Sequence, residues 1–175
     1  MSGSGEIVIF NRNTLEEIKD FPQSSVGAPI PVVLSDEHKL FLCYYVQDPV
    51  EGWNGTTVKM VDADTADEAV AVITFKRYRV YKFGPPNDEA ITGHPLYKKG
   101  LKPYSIFKVN GSSWIEELEK MNSVHPHHDK KRFDALSHFI FVFHDSTFEC
   151  VVEGISSEIK SGSVKSIVQE LAVKL

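Results

Sequence analysis

The sequence has 175 residues but only 2 cysteines and no long apolar run. Two cysteines far apart do not form a disulfide framework, so Cys43 and Cys150 are expected to be buried free thiols within strands. The longest apolar runs, residues 40–46 and 69–73, are much shorter than the roughly 20 residues of a membrane-spanning helix. The first residues also lack the positive charge and the apolar core of a secretory signal. These absences predict a cytoplasmic protein with no membrane partner.

Basic residues are scarce outside one stretch of the chain. The formal net charge is −5, from 19 basic and 24 acidic residues, and this balance disfavours nucleic acid as a partner. The stretch between Lys76 and Lys108 is the exception, because it contains eight basic residues and only two acidic ones. Such an uneven distribution can attract an anionic partner to one face of the protein.

Short alternating or apolar stretches separated by turn residues predict strands along most of the chain. A long strand is expected over residues 70–83, and shorter ones over 6–10 and 57–61. Capping-box spacing predicts a short helix from Thr14 and another from Ser113, and residues 163–175 form an amphipathic helical pattern. The expected fold class is α+β, a single domain over 1–175. In this domain a mostly antiparallel sheet of about six to eight strands packs with two or three helices.

Residues 138–144 and 147–153 form the clearest hairpin pattern in the sequence. If Phe143 pairs with Phe148, alternate side chains of both strands form one apolar face, because residues two apart share a face. The rings that this face directs into the core are Phe139, Phe141, Phe143 and Phe148.

The opposite face of the same hairpin carries imidazoles and carboxylates. In that register His138 lies opposite Glu153, and Glu149 is diagonal to His144. Such pairs could exchange protons in acid–base chemistry. Cross-strand contacts on a half-polar face would explain them equally well.

Residues 84–100 form a loop that is long for a compact domain, and long ordered loops are often functional. Its polar and aromatic side chains predict a binding surface, although prolines and Asn87 would also suit a connection that only forms turns. The binding residues expected in this loop are Asn87, Asp88, Glu89, His94 and Tyr97.

A second candidate site is the histidine cluster at 125–128. Neutral imidazoles bind divalent transition metals, so His125, His127 and His128 are candidate metal ligands, completed by Asp129 or His94. A metal-dependent hydrolase or lyase could then use these histidines together with Asp88 or Glu89. The alternative is a surface loop without metal, since the sequence requires no cofactor.

The third candidate site is the basic strand 76–82. Arg77, Arg79 and Lys82 alternate with aromatic residues, a composition that binds anionic ligands or single-stranded nucleic acid. The alternative is that their long aliphatic stems cover a sheet.

Four strings of the sequence resemble segments of a group of small bacterial proteins: FGPPNDEA at 83–90, GHPL at 93–96, SSWI at 112–115 and HFIFVFHDSTFEC at 138–150. The resemblance implies a bacterial, cytosolic setting. It brings no activity, cofactor or catalytic residue with it.

No nucleophile motif of the hydrolases is found in the sequence. The hypothesis that needs no catalytic residues is a binding protein, such as an immunity-like or antitoxin-like inhibitor, that acts through loops 84–100 and 123–131. Its partner would be another protein, with Trp53 and Tyr97 as aromatic anchors. The sequence leaves open the oligomeric state, the identity of the partner and whether any catalysis occurs.

Overall fold

The computed structural model describes residues 12–47 and 60–175. The strand predicted at 6–10, most of that at 57–61, and Trp53 lie outside the described residues. The described strands are β1 (Thr14–Ile18), β2 (Val32–Ser35), β3 (Leu40–Tyr45), β4 (Glu68–Lys76), β5 (Val80–Gly84), β6 (Ser105–Asn110), β7 (Ser137–Val142), β8 (Thr147–Val152) and β9 (Gly154–Gly162). The α-helices are α1 (Ser113–Asn122), α2 (Lys131–Asp134) and α3 (Val164–Ala172).

The strands form two antiparallel sheets, which confirms the predicted α+β class with mostly antiparallel strands. One sheet has five strands in the order β1-β6-β7-β8-β5, and the other has four in the order β2-β3-β4-β9. The described residues thus contain nine strands, divided between two sheets. None of the helices in the described ranges is long and apolar enough to cross a membrane.

The two sheets pack face to face over an aromatic core. Phe139, Phe141 and Phe143 are 7%, 1% and 1% exposed, so the alternation correctly places the three rings inside. Across the core Tyr44 and Phe75 approach them, with the Tyr44 and Phe143 ring centroids 5.2 Å apart. Close ring packing of this kind stabilises the interface between the sheets.

The register predicted for the 138–153 hairpin is wrong by two residues. Phe141, not Phe143, pairs with Phe148. The Phe143 amide instead donates to the Ser146 carbonyl at 2.8 Å, which closes a two-residue turn at His144 and Asp145. A shift by two residues leaves every side chain on its predicted face, whereas a shift by one would invert the hairpin.

The single long strand predicted over 70–83 is also wrong, because a β-bulge divides it. Lys76 pairs with Gly154 and Val80 with Val151, so three residues on one strand oppose two on the other. Arg77 has a positive φ of 48° at this point. A bulge bends the strand, and as a result β4 belongs to one sheet and β5 to the other.

The helix predicted from Thr14 is a strand, β1, which pairs with β6 along its whole length. Both cysteines are free and buried, as expected, although they lie in different clusters of the core. Burial raises the pKa of the Cys43 thiol to about 12 and also raises that of Cys150. Neither thiol is therefore activated as a nucleophile.

Each sheet has its outer face covered by a different part of the chain. On the four-stranded sheet, α3 buries Val164, Ile167 and Leu171. On the five-stranded sheet, residues 85–104, which we call the covering segment, bury Ile91, Leu96 and Leu101. The face that the sequence predicts to be half-polar is thus covered, and the candidate site lies beneath the covering segment.

Candidate functional site

The covering segment is fastened to the hairpin near its start. The Thr147 hydroxyl donates to the Pro86 carbonyl at 2.9 Å, and the Asp88 amide donates to the His144 carbonyl at the same distance. Two short 3-10 turns, Ile91–Gly93 and Tyr97–Lys99, then shape the segment. These contacts hold the covering segment against the sheet. The His94 side chain extends from the segment to Glu149 of β8.

A carboxylate held between two imidazoles lies under the covering segment. Glu149 accepts from His94 Nε2 at 3.3 Å through Oε1 and from His138 Nε2 at 3.0 Å through Oε2. The side chains of the two histidines are only 7% and 5% exposed, and that of Glu149 is 16% exposed. The pairing His138–Val151 and Ile140–Glu149 in β7 and β8 makes His138 and Glu149 diagonal neighbours. Such neighbours are within reach of long side chains.

The hydrogen bonds on the far side of each imidazole determine which nitrogen carries the proton. The Leu96 amide donates to His94 Nδ1 at 3.1 Å, so the His94 proton must lie on Nε2 and point to Glu149. His138 Nδ1 lies 2.9 Å from the Ser112 hydroxyl. Ser112 caps α1 by accepting from the Ile115 amide at 3.3 Å, which leaves its own proton for His138. Both histidines are therefore oriented as donors to one carboxylate.

Glu149 is ionised over the whole physiological range of pH. Burial alone would raise the pKa of this carboxyl group, but hydrogen bonds from His138 and His94 outweigh burial and hold the pKa at about 2. A carboxylate with such a low pKa is a poor general base and cannot act as a general acid near neutral pH. It is suited instead to accept hydrogen bonds from a ligand.

Glu149 forms part of the lining of an open cavity of about 350 Å³, which we call the Glu149 cavity. Lys82, the cross-strand partner of Glu149, places Nζ 4.1 Å from the centre of the Trp114 ring. The Trp114 ring also packs edge-to-face against His138, with centroids 5.2 Å apart. The lining is Asn13, Lys82, Pro85, Pro86, His94, Pro95, Leu96, Ser113, Trp114, His138 and Glu149.

These contacts favour recognition over proton transfer at the Glu149 cavity. All four ring nitrogens of His94 and His138 are engaged, so neither imidazole has a nitrogen left for a substrate proton. The carboxylate oxygens of Glu149, in contrast, each have a second acceptor position. The acid–base pairs that the sequence suggests, His138 with Glu153 and Glu149 with His144, are not formed.

A second cluster joins both ends of the covering segment to the hairpin turn. The Tyr104 hydroxyl donates to Asp88 Oδ2 at 2.5 Å, and His144 Nδ1 lies 2.9 Å from the same oxygen. The hydrogen bond to Asp88 raises the pKa of Tyr104 to about 12, and the Asp88 carboxylate also raises that of His144. The same contacts, first the one from Tyr104, lower the pKa of Asp88. This cluster fastens the segment and does not face the Glu149 cavity lining.

The substitution Asp88→Asn tests whether Asp88 is the group that raises the pKa of His144. Because His144 has a raised pKa, its contact stabilises the fold below the ordinary value of 6.5 and is lost as pH rises through the higher folded value. In Asp88→Asn the His144 pKa should fall back towards its ordinary value, as measured by NMR titration of the ring C–H signals. Glu89→Asn, which removes an exposed charge next to Asp88, should leave most of the shift in place. Equal pKa values in wild type and Asp88→Asn would contradict the assignment.

The other residues predicted in the loop have separate positions. The Asn87 carboxamide oxygen accepts from the Ala90 amide at 3.1 Å, as expected of a residue that forms a turn. Glu89 is exposed, and Tyr97 is 41% exposed. Of the five residues, His94 alone belongs to the lining of the Glu149 cavity.

The structure does not assemble the predicted metal ligands into one site. His128 contacts Glu119 through Nε2 at 2.7 Å, and His125 Nδ1 accepts from the His127 amide. His94 lies instead in the Glu149 cavity. Across residues 12–47 and 60–175, no group of three or more histidine, cysteine, aspartate or glutamate side chains has the arrangement of a metal site.

Trp114 and Glu149 are absent from the predicted site residues, although the sequence contains a signal for each. Trp114 lies two residues after the helix cap Ser112, in the first turn of the helix that the capping box predicts. Glu149 lies on the predicted polar face of the hairpin, and the correct register would have placed it beside His138.

Comparisons with protein-family models, with curated proteins and with solved structures found no match to this chain. The bacterial setting that the resemblance implies stays a prediction. The functional argument therefore starts from the geometry of the cavity.

Proposed function

We propose that the protein is a non-catalytic binding protein and that it contacts a partner protein at the Glu149 cavity. The observation that carries the proposal is the ionised Glu149 carboxylate, which accepts hydrogen bonds from two buried imidazoles at the cavity. Every ring nitrogen of these two imidazoles already has a hydrogen-bond partner. A rigid acceptor that needs no rearrangement on binding reduces the entropic cost of recognition.

The lining indicates the chemistry of the group that enters the cavity. Glu149 requires a hydrogen-bond donor, and a guanidinium is the strongest such donor because it offers two parallel N–H groups to one carboxylate. Pro85, Pro86 and Pro95 supply apolar walls for an aliphatic stem. A volume of about 350 Å³ accommodates one side chain. We therefore propose that an arginine side chain of the partner occupies the cavity.

Two further properties support a protein partner. The net charge of −5 favours association with a basic partner in general. The lining itself includes Lys82, so Glu149 is the group that attracts a cation into the cavity. Tyr97, which follows the lining residue Leu96 in sequence, is 41% exposed and offers an aromatic contact on the covering segment. An immunity-like or antitoxin-like inhibitor that occupies a basic partner would use a surface of this kind.

The test is an NMR titration with ethylguanidinium as the probe and acetate as the comparison. Ethylguanidinium should shift the Leu96 amide and the Trp114 indole signals, and acetate should not. Glu149→Gln keeps the side-chain shape but removes the charge, so it should weaken the ethylguanidinium response about tenfold or more, the cost of one charge-assisted hydrogen bond.

Glu89→Gln is the matched control, since it removes the same charge from an exposed position on the covering segment. It should leave the titration unchanged. The proposal fails if acetate produces the same shifts as ethylguanidinium, or if the two glutamine variants respond alike. Spectra of each variant without probe establish that it is folded.

A further inference from the structure

We propose that a second cavity, at the corner where the strands pass from one sheet to the other, binds the phosphate group of a small molecule. This cavity of about 550 Å³ is lined by Arg77, Arg79, Arg132, Ala135 and Glu153, and we call it the arginine cavity. It shares no lining residue with the Glu149 cavity, so the proposal goes beyond the proposed function.

The distribution of arginine along the chain supports this assignment. The sequence contains four arginines, and three of them line this one cavity although Arg132 is far from the other two in sequence. Arginine suits phosphate because its planar guanidinium offers paired N–H donors to two oxygens of the same anion. Lys82, predicted to act together with Arg77 and Arg79, lies instead over Trp114 in the other cavity.

Arg77 and Arg79 lie in the bulge between β4 and β5, where the chain passes from one sheet to the other. The extra residue between the pairs Lys76–Gly154 and Val80–Val151 bends the chain where Arg77 and Arg79 occur. Bulges commonly redirect side chains at functional sites. Arg77 also adopts a positive φ of 48°, a conformation that costs energy in a residue other than glycine.

One carboxylate orients both guanidiniums. Glu153 Oε2 lies 3.2 Å from Arg77 Nη1 and Glu153 Oε1 lies 3.6 Å from Arg79 Nη2, and the Glu153 side chain is 20% exposed. A guanidinium has five N–H donors, so most of the donors of both arginines remain for a ligand. Glu153 thus acts as a positioning residue that restricts the two side chains before any anion arrives.

The charge of the lining remains positive after this pairing. Three guanidiniums face one carboxylate, and Arg132 has a long contact of 4.0 Å with Asp129 at the surface. The side chains of Arg77 and Arg132 are 70% and 74% exposed, so an anion can approach both. The protein as a whole is acidic, which opposes a long polyanion more than a small phosphate-bearing molecule.

The experiment is isothermal titration of the full chain with inorganic pyrophosphate, inorganic phosphate and acetate. Pyrophosphate should bind more tightly than phosphate, and acetate least. Arg77→Ser, Arg79→Ser and Arg132→Ser should each weaken pyrophosphate binding about tenfold or more, the loss of one charge-assisted hydrogen bond. Arg12→Ser is the matched control, because Arg12 precedes β1 at the opposite edge of the five-stranded sheet.

Glu153→Gln separates a binding site from a merely structural ion pair. Its amide oxygen can still accept from the arginines, and loss of the negative charge should make pyrophosphate bind more tightly. The proposal is overturned if wild type does not bind pyrophosphate at millimolar concentration, or if Arg12→Ser weakens binding as much as the other three variants. Tighter binding of a single-stranded oligonucleotide than of pyrophosphate would also overturn it, in favour of a nucleic-acid surface.

Discussion

Replacing Glu149 with alanine is expected to lower the free energy of unfolding by about 2–5 kcal/mol, since each buried donor left without an acceptor costs about 1–3 kcal/mol. The substitution leaves the Nε2–H groups of His94 and His138 without their acceptor, and both side chains are more than nine-tenths buried. Neither imidazole can turn to a new partner easily, because the Leu96 amide and Ser112 hold the opposite nitrogens.

Urea unfolding followed by circular dichroism measures this loss. Glu89→Ala on the exposed part of the covering segment is the control and should change the free energy of unfolding by no more than about 0.5 kcal/mol, as surface substitutions generally do. If Glu149→Ala and Glu89→Ala changed the free energy of unfolding equally, the hydrogen bonds from the two imidazoles to Glu149 would not exist in solution.

The pH dependence of the same variant provides an independent readout. The Glu149 pKa falls from 4.5 to about 2 on folding, so its contribution to stability is complete above pH 4.5. This contribution disappears as pH falls through that interval towards 2. Wild type should therefore lose stability over this acid range more steeply than Glu149→Ala, which no longer has the titrating group.

Much of the fold follows from alternation in the sequence. The phenylalanines of β7 and β8 identify the inner face of the hairpin whatever the register, because a shift by two residues keeps side chains on the same face. The pairing itself depends on whether the turn contains two residues or more. His144 and Asp145 are not among the residue pairs that mark two-residue turns most strongly, so local sequence did not determine it.

Other elements depend on contacts far apart in the sequence. A capping box at Thr14 favours a helix locally, yet pairing with β6 makes it β1, since tertiary contacts override weak propensities. The sequence of β9 does not predict a strand, because it begins with Gly154 and contains a polar Ser-Ser-Glu stretch. The strand forms because it pairs with β4 along its whole length.

The candidate site was predictable in its parts but not in its assembly. The long loop supplied His94, and the polar face of the hairpin supplied His138 and Glu149. These residues come together only because of the path that the covering segment takes over the sheet. The sequence of this segment has no hydrophobic periodicity, and its path is set by Ile91, Leu96 and Leu101, which pack on β6 and β7. Irregular segments of this kind obtain their conformation from such tertiary contacts.

Phe148→Ala should be strongly destabilising, with an expected loss of about 3–5 kcal/mol in the free energy of unfolding. Phe148 is fully buried, and its ring centroid lies 5.2 Å from Phe75 of the opposite sheet and 5.9 Å from Phe141 beside it. Alanine would open a cavity where the two sheets meet. Since domains are stable by about 5–15 kcal/mol in total, the variant should unfold at much lower urea concentration.

Phe83→Ala is the matched control for this loss, because it removes the same ring from edge strand β5, where it is 44% exposed. Phe83 is the cross-strand partner of Phe148 and lies on the same face of the sheet. Its removal opens no enclosed cavity, so it should cost about 1 kcal/mol, the value of partial apolar burial. Equal losses in the two variants would mean that the sheets do not enclose Phe148. The aromatic core would then lack the closely packed centre that holds β8, and with it Glu149, in place.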